Sequence, residues 1–310
     1  MDPDDVFATH RRFLTRLAYR MLGSVGDAED VVQDAWLRWR EANAEDVATP
    51  RAYLARIVTR LCLDQMKSAR SRREFYVGAW LPEPLVEEIG AVHDDIDTQL
   101  DAPIALMLAL ERLSPLERAA FLLHDVFEMD FAEIARTIDR SESACRQLAK
   151  RARDHVRIDM PPRNSIDPDA AKRFVEAFFK AAHKADTSAL QALLAEDVAF
   201  YSDGGGKVLA VINPLHGLDR VVRFFAGITR KADRRHRQDA LFRPALVNGL
   251  PGYVGIGRDG TLQTTALDIR DGRIHAIYVV RNPDKLKHVA LELASAAVGA
   301  DDTTPRRPSQ

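Results

Sequence analysis

Residues 131 to 153 read "FAEIARTIDRSESACRQLAKRAR". Phe131, Ile134, Ala135 and Ile138 recur at steps of three and four, which gives a short helix with one apolar stripe. "DRS" interrupts the pattern, and Ser141 is a residue type that caps a second helix. The inward face of that helix would carry Ala144, Cys145, Leu148 and Ala152, and the opposite face Ser143, Arg146, Gln147, Lys150 and Arg157, with Arg151 and Arg153 on its flanks. A short helix, a tight turn and a basic second helix form the helix-turn-helix pattern, whose second helix enters the major groove. Arginine pairs bidentately with guanine and glutamine with adenine, while lysine and flanking arginines neutralise phosphates. The alternative is a solvated basic face on an ordinary helical hairpin.

Upstream, "SPLE" places Ser114 as N-cap, Pro115 at the first helical position and Glu117 at the third, a capping box that opens a helix inside the block 102–157. Between residues 6 and 74, Phe13, Leu17 and Met21, and again Val32 and Trp36, recur at four-residue steps, so three or four helices are expected there. Asp27 and the pair Thr49–Pro50 mark two helix starts. Residues 27 to 34 hold four acids and no base, residues 51 to 73 seven bases against Asp64 alone, and residues 81 to 101 seven acids with no Lys or Arg. The net charge of −2 hides this segregation. The second basic stretch, "RAYLARIVTRLCLDQMKSARSRRE", is bordered by Tyr53, Phe75 and Tyr76, a combination able to hold splayed single-stranded bases by stacking and charge; core packing is the other reading, and for Tyr53 the favoured one.

Residues 75–101 read as a linker containing "GAWLPEPLVEE". Its prolines fix φ and remove donors, so "LPEP" is expected to be extended, with Trp80 and Leu81 as an apolar anchor and Glu83 as a polar one. After "IDMPPRNSID" the pattern changes to an α+β domain over 168–295: two helical stretches, then the strand-like runs "VAFYS", "KVLAVI", "ALFRPALV", "GYVGIGR", "TLQTTALDIR" and "RIHAIYVV", separated by "DGGG", "NGLPG" and two "RDG" turns. The tail 296–310 is expected to be disordered.

With 310 residues, 46% hydrophobic and 29% charged, the chain has room for two or three cores and lacks any run of the roughly 18 apolar residues that a membrane helix needs. The opening "MDPDDVFATHRRFL" lacks a secretory pattern, and a cytoplasmic location without a membrane partner is expected. The two cysteines, Cys62 and Cys145, lack metal-ligand spacing, so neither a disulfide, a metal nor another cofactor is expected.

The order "GSVGDAEDVVQDAWLRW", "TPRAYLARIVTRLCLDQMKSARSRRE" and "LERLSPLERAAFLLHDVFEMDFAEIARTIDRSESACRQLAKRAR" resembles the two DNA-binding regions of a group IV, extracytoplasmic-function (ECF) RNA polymerase sigma factor. "WLPEP" (80–84), "DGGGK" (203–207) and "NPDKL" (282–286) further resemble the motifs of the SigJ-like subgroup, which carries a fused SnoaL-like domain of the NTF2-like fold. The resemblance implies two all-α sigma domains, the second with the helix-turn-helix, followed by an α+β cone domain that regulates sigma activity in cis. It implies core RNA polymerase, through its β′ coiled coil and β flap, and promoter DNA as partners. Asp30, Gln33, Asp34, Trp36 and Leu37 would lie on the helix that docks on the β′ coiled coil, though Trp36 could instead pack in the core. Arg56, Arg60, Lys67, Arg70, Arg72 and Arg73 would face the −10 element, and Ser143, Arg146, Gln147, Lys150, Arg151 and Arg153 the −35 element. Trp80, Leu81, Pro82, Glu83 and Pro84 would dock on the last domain near Asp203, Gly204, Gly205, Gly206 and Lys207, or near Asn282, Pro283, Asp284, Lys285 and Leu286.

Cavities of cone folds serve both enzymes and binders, so an unknown small ligand stays open for the last domain. Asp203, Asp268, His216, His236 and His275 are the acid/base candidates; scattered surface or hydrogen-bonded residues, with no catalysis, are the favoured reading. "DGGGK" is not a phosphate loop, because Lys207 precedes Val208 without the Walker A spacing. Two rivals to the sigma reading are a polymerase-independent helix-turn-helix regulator with a small-molecule-sensing domain, which leaves the acidic helix around Trp36 without a role, and a polyketide-cyclase-like enzyme fused to a DNA-binding region.

Overall fold

The computed structural model describes residues 3–42, 47–73, 76–90, 103–156, 167–231, 242–257 and 259–293, with side chains in α3 described through Lys67 and in α10 through Ile228. The chain divides into two compact units, one from residues 1–76 and 92–163, the other from 77–91 and 164–310. The tail from residue 296 and the candidates Phe75, Arg157 and His236 lie outside the described residues.

The described residues of the first unit form helices and their connections: α1 (Pro3–Leu22), α2 (Val25–Glu41), α3 (Pro50–Arg73), α4 (Ile104–Leu110), α5 (Pro115–Phe121, continued by a widened turn Leu122–Val126), α6 (Phe131–Ile138) and α7 (Glu142–His155). Helix α2 begins two residues before Asp27, because the Ser24 side chain accepts from Asp27 N at 3.2 Å and takes the cap itself. Ser114 and Glu117 form the expected reciprocal box at α5, with Pro115 inside the first turn. Asp130 caps α6, and Asp139 at φ 54° ends it in the left-handed region. The core runs through Leu14, Leu17 and Met21 of α1, Val32 and Ala35 of α2, and Leu54, Val58 and Cys62 of α3. Trp39, fully buried, donates its indole N–H to Pro3 O at 2.8 Å and packs on Tyr53.

The second unit is a seven-stranded mixed sheet with helices α8 (Pro168–Lys184), α9 (Thr187–Leu193) and α10 (Leu218–Lys231). Its strands are β1 (Val86–Glu87), β2 (Leu194–Asp203), β3 (Leu215–His216), β4 (Phe242–Val247), β5 (Leu250–Ile256), β6 (Leu262–Arg270) and β7 (Arg273–Val280), in the order β1-β4-β5-β6-β7-β2-β3. Among the described strands, β2 and β7 pair in parallel and the other neighbours are antiparallel. Asn248–Gly249 joins β4 to β5 and Asp271–Gly272 joins β6 to β7, all four residues at positive φ as a two-residue hairpin requires. Gly252 is obligatory, since a Cβ there would run into Thr265 O on the neighbouring strand. Val175, Phe178, Leu190, Val198, Phe200, Val221, Phe225, Leu267 and Ile277 fill the space between sheet and helices.

Two parts of this unit depart from the sequence expectation. "KVLAVI" (207–212) is a loop rather than a strand: Leu209 and Ile212 are exposed, and Pro214 follows, restricting the residue before it. Helix α10 was not anticipated, although Val221, Val222 and Phe225 give it a buried stripe. No described helix is long and apolar enough to cross a membrane.

Candidate promoter-reading face and linker strap

On α7 the structure buries Cys145, Leu148, Ala149 and Ala152 and exposes Ser143, Arg146, Gln147 and Lys150. Arg146 is held by Glu142 one turn back at 2.8 Å and lies over the Phe131 ring. The flanking arginines are tied down: Arg151 to Glu117 at 2.8 Å and Arg153 to Asp125 at 2.6 Å. Burial pushes the Glu117 carboxyl up, but hydrogen bonds from Arg151 and Ser114 outweigh it and hold it below the usual range.

On α3, Arg56 lies over Tyr53 and Lys67 pairs with Asp64 at 2.8 Å. Arg70, Arg72 and Arg73 fall on the last turns of α3, beyond its described side chains. Arg60 donates to Thr137 O at 3.2 Å and to Arg136 O at 3.4 Å, so it caps the C-terminus of α6. On α2, Asp30, Gln33, Asp34 and Leu37 are exposed, and Leu37 is 48% accessible. Trp36 is not a core residue: it is half-buried, donates to Asp4 at 3.3 Å, carries Arg40 over its ring, and lines a groove between α1 and α2 with Phe7 and Val32.

The linker segment builds into the sheet unit. Pro82 and Pro84 lack N–H groups, which leaves the extended strap one donor edge at Leu81, Glu83 and Leu85. Leu81, with no exposed surface, donates its N–H to Asp203 Oδ2 at 2.9 Å, and its carbonyl accepts from Lys285 Nζ. Lys285 in turn pairs with Asp203 at 2.8 Å and lies 4.3 Å from the centroid of the Trp80 ring. Pro82 and Pro84 are buried and Glu83 half-buried; His288 Nε2 donates to Pro84 O at 2.7 Å. Leu85 exchanges hydrogen bonds with Asn248, and Val86 and Glu87 pair with Val247 and Leu246 as the edge strand β1.

Asp203 joins the three motifs. Its carboxylate also accepts from Gly205 N at 3.0 Å, and its carbonyl accepts from Arg281 N at 2.7 Å and Asn282 N at 3.0 Å. Gly205, at φ 60°, lies so close to Asn282 that a Cβ would collide with the amide, and Gly206 packs on Val77 at the strap's start. A Cβ on Gly204 would collide with Val208 O. Asn282 caps the turn that holds Pro283, Asp284, Lys285 and Leu286, and Lys207 pairs with Asp284 between the two loops.

The Lys207 ammonium holds the Asp284 carboxyl below its ordinary value of 3.8. A depressed acid stabilises the fold above the unfolded pKa and loses that contribution as pH falls through the folded value. Lys207→Met is therefore expected to lower the thermal midpoint slightly at neutral pH, with the difference vanishing on acidification below 3.8. Melting curves of both proteins across that range check it; a difference that persists in acid counts against the pair.

Residues 6–72 match Sigma-70 region 2 and residues 104–156 match Sigma-70, region 4. The ECF RNA polymerase sigma factor SigJ of Mycobacterium tuberculosis is 42% identical over 293 residues, covering 90% of this chain and 91% of SigJ. The chain belongs to the ECF RNA polymerase sigma factors. A second relative, the probable ECF sigma factor SigI of the same organism, is 33% identical over 286 residues, covering 92% of this chain and 94% of its own. The crystal structure of M. tuberculosis SigJ superposes with a TM-score of 0.71 at 37% identity over 91% of this chain and 97% of that one. The two sigma domains followed by the α+β domain are thus the architecture of this sigma factor.

The described acid/base candidates of the sigma factor's last domain, Asp203, Asp268, His216 and His275, do not converge on one another. Asp203 is taken up by Lys285 and Leu81, Asp268 by Arg270 at 2.6 Å, and His275 by Asp197 at 3.1 Å, while His216 is exposed on β3 beside Tyr201. Sequence reasoning missed Arg118, which is 1% exposed and donates to Leu110 O at 2.6 and 2.9 Å and to Met21 O at 2.7 Å. Its Nη2 also forms an ion pair with Glu111 at 2.7 Å. Only the Leu-Glu-Arg pattern of an amphipathic helix was visible there, and that pattern places an arginine outside.

Proposed function

We infer that this sigma factor directs core RNA polymerase to promoters with its two helical modules, and that its sheet domain governs in cis how far those modules can part. The observation that carries the reading is that the linker between regions 2 and 4 is a strand of the carboxy-terminal sheet, held by a buried ion pair. In this reading α7 enters the major groove at −35, where Arg146 and Gln147 read base edges and Lys150 meets phosphate. The α3 arginines face the −10 strand. Asp30, Gln33, Asp34, Trp36 and Leu37 dock on the β′ coiled coil, an acidic helix face with an exposed leucine being suited to a basic, partly apolar partner, and region 4 meets the β flap. The polymerase places this activity in the cytoplasm, and no turnover is assigned to the chain.

The two promoter elements lie about 25 base pairs apart, roughly 85 Å at ~3.4 Å per step. Regions 2 and 4 here share one unit, with Arg60 of α3 bonded to the end of α6, so promoter engagement requires them to separate and Arg60 to exchange its carbonyl partners for phosphate. Polymerase selects the open arrangement. The strap limits the reach of that opening, since it is anchored in the sheet domain at Leu81 and again at Val86 and Glu87.

Run-off transcription with purified core polymerase tests this, comparing the full chain with versions ending near residues 160 and 210. The sigma reading fails if none directs initiation. The regulatory reading fails if all initiate alike. Within an active system, Arg146→Ala is expected to cost ~1–3 kcal/mol on one base pair of the −35 element, and Lys150→Ala to reduce the salt slope of promoter binding by about 1 without changing base preference. Equal losses on matched and mismatched −35 sequences for Arg146→Ala would contradict its assigned role.

A further inference from the structure

The guanidinium that α7 offers to a base edge, that of Arg146, is held by two neighbours before any DNA arrives. Glu142, one turn back, pairs with its Nη2 at 2.8 Å, and the Phe131 ring of α6 lies against it with the centroid 5.2 Å from the central carbon. These two restraints act differently at a duplex. The Glu142 carboxylate occupies a donor and brings a negative charge towards the phosphates, so it fixes the arginine while opposing its target. The ring takes none of the five N–H donors and adds no charge, which leaves the edge of the guanidinium to O6 and N7 of a guanine. Phe131 is also poorly placed for a purely core role: Ile134 and Ile138 of the same helix are buried, whereas Phe131, its first residue, is half-buried.

The ring is itself braced. The His124 imidazole lies 4.0 Å from it between centroids and donates its Nδ1–H to Met129 O at 3.0 Å, so the histidine cannot swing away without losing that bond. His124 belongs to the widened turn Leu122–Val126, the kind of local insertion that re-aims side chains at functional sites. We propose that Phe131 is a positioning residue for base reading at −35: it holds the Arg146 guanidinium in the orientation that meets a guanine edge, so less side-chain freedom is lost on binding. This rests on the base-reading role proposed for Arg146. An arginine held by Glu142 alone still binds DNA through its charge, but it discriminates bases less sharply, because its fork swings between base edge and phosphate.

The test is selection of duplexes by the full-length protein with core polymerase from a pool randomised across the −35 region, read by sequencing. The base pair assigned to Arg146 is the one whose preference disappears in Arg146→Ala. Placing one, two and three fluorines on the Phe131 ring keeps its shape and weakens its negative face stepwise, so folding is retained. Discrimination at that one base pair is expected to fall with each fluorine, reaching roughly 2- to 5-fold below wild type with three, while preferences at the other positions stay unchanged. Phe131→Leu is expected to lose at least as much at the same base pair, and Phe131→Tyr to keep the wild-type preference. An Arg146-dependent base pair that is indifferent to fluorination, or an equal loss at every position, overturns the positioning role alone. If Arg146→Ala changes no position, base reading by Arg146 fails first and the positioning role fails with it.

Discussion

Asp203→Ala releases the strap: hydrogen exchange at Leu81 and Leu85 in the full-length protein is expected to rise by roughly a hundredfold or more. Asp203 has no exposed surface, and its carboxylate serves Lys285 Nζ, Leu81 N and Gly205 N together. Removing it strands a buried ammonium and a buried amide, and breaking such a pair from one side costs about 3–5 kcal/mol. Lys285→Met is the milder change, because the Asp203 carboxylate keeps its two amide donors and the methionine still packs on Trp80. Joint replacement by Leu and Met is expected to cost less than the sum of the two single changes, since it leaves no unpaired charge. In run-off transcription Asp203→Ala should behave like the chain ended near residue 160. If strap exchange in Asp203→Ala stays at the wild-type level, Asp203 does not hold the linker and the cis-control reading loses its physical basis.

Arg118→Leu is expected to destabilise the helical unit by about 3–5 kcal/mol, a large share of the ~5–15 kcal/mol that holds a domain together. The guanidinium closes the carbonyl ends of two helices, Met21 O of α1 and Leu110 O of α4, and neutralises Glu111 beside it. Leucine leaves those acceptors dry. Arg118→Lys should recover little, because one ammonium cannot reproduce a planar fork that reaches Leu110 and Met21 at once. Urea unfolding followed by hydrogen exchange in each unit checks this: protection should fall across α1 to α7 and stay unchanged across β4 to β7. A loss under 1 kcal/mol would mean that water replaces the arginine at both carbonyls. The Met21 bond also joins region 2 to region 4, so the opening proposed for promoter binding has to break it.

Much of this sigma factor was legible in local windows. The apolar steps of α6 and α7, the caps Ser114 and Ser141, and the hairpins at Asn248–Gly249 and Asp271–Gly272 follow from backbone preferences that act within a few residues. Local pattern failed where strand-like and loop sequences look alike: "KVLAVI" is β-branched and apolar, yet Gly204–Gly206 turns the chain away from the sheet edge and Leu209 faces solvent. It also failed at charged residues, which composition places on the surface: Arg118, Asp203 and Lys285 are buried because partners remote in sequence satisfy them.

The sequence by itself determined the helix-turn-helix pair, the exposed basic face of α7 and the presence of three motifs in and around a proline-stiffened linker. Tertiary structure alone decided that those motifs meet. Leu81 bonds to groups 122 and 204 residues away, and no propensity or periodicity specifies a partner at that distance. A hydrogen bond or ion pair takes its meaning from what faces it after folding: the same aspartate that would serve as an exposed acid in a loop becomes, once covered by Leu81 and Lys285, the point at which the linker is held.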